Sequence, residues 1–70
     1  MPKLPGIAHQ RAVKAFEKAG FQIVRQSKHI IMNNGETVIV IPGHDPINAY
    51  TMGIIIRDAG LTIEQFVQLL

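Results

Sequence analysis

The chain has 70 residues, of which 47% are hydrophobic and 17% charged, with a formal net charge of +2 and no cysteine. This length holds one small domain spanning residues 1–70, and the missing thiols exclude disulfides, thiolate zinc sites, iron–sulfur clusters and a cysteine nucleophile. A domain this small leaves about 40% of its unfolded surface exposed, so with few charges to cover it an exposed apolar patch is expected.

The charge is unevenly spread. Residues 1–34 hold Lys3, Arg11, Lys14, Lys18, Arg25 and Lys28 against Glu17, a net +5. Residues 35–70 hold Arg57 against Glu36, Asp45, Asp58 and Glu64, a net −3. A basic half points to a polyanionic partner, of which nucleic acid is the commonest.

Residues 1–6 form a Pro/Gly lead-in with no apolar run behind it, so no signal peptide is expected. The apolar stretches 38–42 and 54–56 are too short to span a bilayer, and the expected location is cytoplasmic, with no membrane partner. A helix fits residues 7–19, with Ala12, Val13, Phe16 and Ala19 on one stripe. Arg11, Lys14 and Lys18 follow the same spacing on another face, as a solvated ridge or as phosphate contacts. Gly20 suits the left-handed residue that closes a helix.

Three strands are predicted next, at residues 21–26, 28–33 and 36–41. The Asn34-Gly35 dipeptide between the last two is a strong hairpin signal. A two-residue turn there pairs Asn33 with Glu36, Ile31 with Val38 and His29 with Val40. Alternation then puts Ile30, Met32, Ile39 and Ile41 on one face, assigned to the core. His29, Ile31, Val38 and Val40 share the other face, the candidate for the exposed patch. In the first strand, simple alternation sets Phe21, Ile23 and Arg25 against Gln22, Val24 and Gln26.

A turn-rich loop, Pro42-Gly43-His44-Asp45-Pro46, leads to a second helix at residues 49–59, capped by Asp45 or Asn48. Met52, Ile55 and Ile56 face inward, and Gly60 ends the helix. Thr62-Ile63-Glu64-Gln65 fits a capping box opening a short third helix, whose apolar face is Ile63, Phe66, Val67 and Leu70. The fold class is therefore α+β: an αβββα(α) order with a three-stranded antiparallel sheet and helices on one face. This is the order of the double-stranded-RNA-binding domain, whose modules read RNA by shape and phosphate contacts.

Several collinear stretches carry a family resemblance. They are Pro2-Lys3-Leu4-Pro5-Gly6, Ala19-Gly20-Phe21, Val24 to Met32 with Gln26-Ser27-Lys28-His29 at its centre, Val40-Ile41-Pro42 with His44, and Arg57-Asp58-Ala59-Gly60-Leu61-Thr62 before Phe66. Together the chain resembles the HicA (YcfA-like) toxins of bacterial toxin–antitoxin pairs. The family's signature has a glycine before the serine, where Gln26 stands here. The resemblance implies an mRNA interferase, an endoribonuclease that cuts RNA without a metal or cofactor and is centred on His29. It also implies a HicB-type antitoxin over the His29 face, in a toxin–antitoxin hetero-oligomer or alongside a homodimer.

The residues are compatible with that chemistry. Imidazole titrates near neutral pH and can take the proton of an RNA 2′-hydroxyl. Arg25 and Lys28 are the nearby cations for the phosphate, and Arg11, Lys14 and Lys18 are further RNA-binding candidates. Alternation sets Lys28 on the opposite face from His29. Ser27 and His44 are possible accessory residues, His44 because its loop follows the third strand. His9 reads as structural or solvent-facing. The three histidines lack metal-ligand spacing, so no metal site is expected. Two alternatives stand beside cleavage: a non-catalytic RNA-binding module or inactive toxin remnant of the same fold, and a protein that uses the sheet face only for partner binding.

Overall fold

A computed structural model gives the structure of the protein and describes residues 6–70; the first five residues of the lead-in, Lys3 among them, lie outside the described residues. The elements are α1 (His9–Lys18), β1 (Gln22–Gln26), β2 (His29–Asn33), β3 (Val38–Pro42), α2 (Ala49–Asp58) and α3 (Ile63–Leu69). The strands form one antiparallel sheet in the order β1-β2-β3. This is the α+β arrangement expected, consistent with the double-stranded-RNA-binding fold.

The apolar stripe of α1 is buried at Ala12, Val13, Ala15 and Phe16. Gly20, at φ +100°, lets the chain reverse after it. The reversal returns Phe21 to the core, where its N–H donates to the Phe16 carbonyl at 3.0 Å. Phe16 packs edge-on against Phe21 at 5.8 Å between ring centroids, and against Phe66 of α3 at 5.0 Å. Such pairs add to plain area burial. Ile30, Met32, Ile39 and Ile41 fill the sheet side of the same core, and Met52, Ile55 and Ile56 of α2 close it. The short α3 is held at both ends. Thr62 and Gln65 form the capping box, and the Lys18 ammonium donates to the Leu69 carbonyl at 3.1 Å.

The hairpin register differs from the expected one by two residues. Asn33 faces Val38, Ile31 faces Val40 and His29 faces Pro42. The cause is the turn. A turn centred on Asn34-Gly35 needs positive φ at both residues, but only Gly35 takes it, at +96°. The Asn34 side chain instead accepts from the N–H groups of Glu36 at 2.9 Å and Thr37 at 2.7 Å. Gly35 and Glu36 thus become the central residues, with glycine first. A shift of two conserves every side chain's face, so the assigned core stands.

β1 also departs from the simple alternation expected. Ile23 pairs with Met32 but Arg25 pairs with Ile31, so the strand carries a bulge at Val24. The extra residue reverses the alternation. Ile23 and Gln26 both fall on the helix-covered side, while Arg25 moves to the open side with His29. All five β1 residues are exposed.

Candidate functional site

His29 opens β2 on the open face of the sheet, exposed, opposite Pro42. Arg25 sits opposite Ile31, the next residue of β2 on that face. Diagonal neighbours across a ladder lie within reach of a long side chain, and Arg25 has that relation to His29. Around the pair the face is apolar: Val24 is 66% exposed, Val38 56% and Val40 48%. The expected patch is therefore here.

The end of the sheet near His29 is tied tightly. The Ser27 N–H donates to the His29 carbonyl at 3.1 Å, and the Gly43 N–H to the Lys28 carbonyl at 3.1 Å. A Cβ on Gly43 would stand 2.5 Å from that Lys28 oxygen, so the close approach requires glycine. Two residues on, Asp45 accepts from the His9 backbone N–H at 2.7 Å and from His9 Nδ1 at 2.6 Å. These bonds, the backbone one first, hold the Asp45 carboxyl below its usual value. Ile47 then pairs with Ile7, donating at 2.7 Å and accepting at 3.1 Å. His44 is exposed between the Gly43 and Asp45 anchors, at the end of the sheet that carries His29.

Asp45 thus caps α1, whose own Ala8 offers no side-chain cap, and α2 is capped by Asn48, which accepts from the Thr51 N–H at 2.8 Å. The sequence left both caps open for α2. The His9–Asp45 pair joins residues 36 apart, and no local pattern announces it.

The remaining basic candidates divide. Lys28 and Ser27 lie exposed in the link between β1 and β2. Arg11 and Lys14 are exposed on α1, in the helical layer rather than on the open face. Lys18 is engaged with Leu69. Arg25 and His29 are therefore brought together, whereas the α1 ridge is set apart from them. No group of three metal-ligating side chains occurs among the described residues. None of the described helices is long and apolar enough to cross a membrane.

The sequence model of a family described as HicA toxin of bacterial toxin-antitoxin matches residues 10–61. The chain belongs to the HicA toxin family. This HicA-family protein is thus a toxin of a toxin–antitoxin system, and an antitoxin is its implied partner. The matched span runs from α1 through β3 and α2 to Leu61, and so includes Arg25, His29 and His44. No curated protein and no solved structure gives a significant match.

Proposed function

We propose that this toxin binds and cleaves mRNA by metal-independent acid–base chemistry centred on His29, and that a HicB-type antitoxin neutralises it by covering the open sheet face. The observation that carries this reading is an exposed imidazole with a guanidinium as its diagonal neighbour, on a face that also exposes Val38 and Val40. RNA supplies its own nucleophile, so a single positioned base starts the reaction. His29 takes the 2′-hydroxyl proton. The 2′-oxygen attacks the adjacent phosphorus, and the P–O5′ bond breaks. The 5′-oxygen leaves with a proton, giving a 2′,3′-cyclic phosphate and a 5′-hydroxyl end.

Arg25 offsets the charge that builds on the non-bridging phosphate oxygens, the largest electrostatic demand of the step. His44 is the proton donor to the leaving oxygen, held by its two anchored neighbours. Lys28 and Ser27 support this centre from the β1–β2 link, while Arg11, Lys14 and Lys18 contribute to RNA binding from α1, away from it, Lys18 least because its ammonium already has a partner. The valines of the open face give the antitoxin its apolar docking surface.

Inducing the toxin alone arrests growth and degrades transcripts, and His29→Ala relieves both while the protein stays folded by circular dichroism. Growth arrest unchanged in His29→Ala overturns the catalytic role. A second reading, a non-catalytic RNA-binding module or inactive remnant, is favoured by Gln26 in place of the family's glycine. It predicts that RNA is retained and recovered at full length.

A further inference from the structure

The cleft between α1 and β1, on the far side of the sheet edge from His29, has no part in the chemistry above. It encloses ≈ 180 Å³, below the roughly 300–1,000 Å³ of sites for drug-sized ligands, and so suits a single ring system. Val13 and Ile30 form an apolar floor, and the half-exposed Ile23 forms one wall. The rim is polar: the amides of Gln10 and Gln26, the carboxylate of Glu17 and the ammonium of Lys14.

His9 also lines this cleft, and both its backbone N–H and its ring Nδ1 are bonded to Asp45. Asp45 accepts from its backbone and from Nδ1, so Nδ1 carries the proton and Nε2 is the free ring nitrogen. A histidine fixed in this way is pre-organised to hydrogen-bond a ligand at little cost in lost freedom.

We infer that the α1–β1 cleft is a subsite for one unpaired nucleobase of single-stranded RNA. An apolar slot accepts the flat face of a base, and amides and a fixed imidazole meet its mixed donors and acceptors. Lys14 at the rim matches the adjoining phosphate. The position suits a substrate strand as well. β1 is an edge strand, and Arg25 and Gln26 are consecutive residues on its two sides. A strand crossing this edge sets a base against Gln26 while a neighbouring phosphate lies at Arg25 and His29. The inference deepens the RNA-cleavage reading and rests on it.

The test uses the folded His29→Ala protein, which leaves RNA intact, with single-stranded hexamers of uridylate and of adenylate and an abasic hexamer of equal charge. Base-bearing hexamers bind at least about tenfold more tightly than the abasic one. They shift the methyl signals of Val13, Ile23 and Ile30, and Ile23→Trp, which fills the slot, removes the preference. Equal binding of abasic and base-bearing hexamers, or shifts confined to Arg25 and the open face, overturns the subsite and leaves the cleavage reading standing. Intact groove shifts in a wild-type protein that cuts no RNA overturn the cleavage reading instead.

Discussion

The two faces of the sheet are built from the same kinds of residue and have opposite fates. Ile30, Met32, Ile39 and Ile41 are all buried against the helices, while Val24, Val38 and Val40 stay large and exposed. Apolar alternation alone does not separate them, because both faces are apolar. What separates them is the company. The covered face continues into Phe16, Met52 and Phe66, whereas the open face carries Arg25 and His29. An apolar surface with a cation and an imidazole on it is suited to a phosphate-bearing substrate and to a protein that competes for the same ground.

The contrast can be broken from the buried side first. Met32→Ala empties the centre of the covered face and costs about 2–5 kcal/mol, read by urea denaturation. Gly43→Ala drives a Cβ into the Lys28 carbonyl and costs about 1–3 kcal/mol, with exchange broadening at the start of β2. Thr62→Ala removes one half of the capping box and costs about 0.5–2 kcal/mol.

Asp45→Asn weakens the tie between the loop and α1. Because the folded carboxyl titrates below its unfolded value, its contribution is present above about pH 4 and fades as the pH falls through the folded value. The melting temperature of Asp45→Asn is therefore lower than wild type near pH 7, and the gap closes in acid. The smallest effect belongs to the open face. Val40→Thr changes stability by no more than about 0.5 kcal/mol, while weakening antitoxin binding in calorimetry.

The core and the element order were legible because they rest on local signals: the α1 stripe, the glycine stops and the Thr62–Gln65 box. Sheet details were less so. The Asn34-Gly35 dipeptide marks the turn but not which residue leads it, and that depends on where the Asn34 side chain bonds. The shift it causes moves His29 from Val40 to Pro42, closer to the His44 loop. The bulge at Val24 leaves no mark in a run of Ile23-Val24-Arg25, yet it decides that Arg25 shares the face of His29. The His9–Asp45 clamp is a long-range contact, visible only once α1 and the loop meet. Family resemblance singled out His29; the sheet register supplied its neighbours.

The central claim is that His29 on the open face is the base for RNA cleavage. The most direct measurement is the initial cleavage rate of a single-stranded RNA by purified wild-type and His29→Ala toxin, with a chelator present and end groups identified. The account predicts 2′,3′-cyclic phosphate ends from wild type and a rate about 10²–10⁴-fold lower for His29→Ala, with RNA binding retained. Equal rates for the two proteins would contradict it.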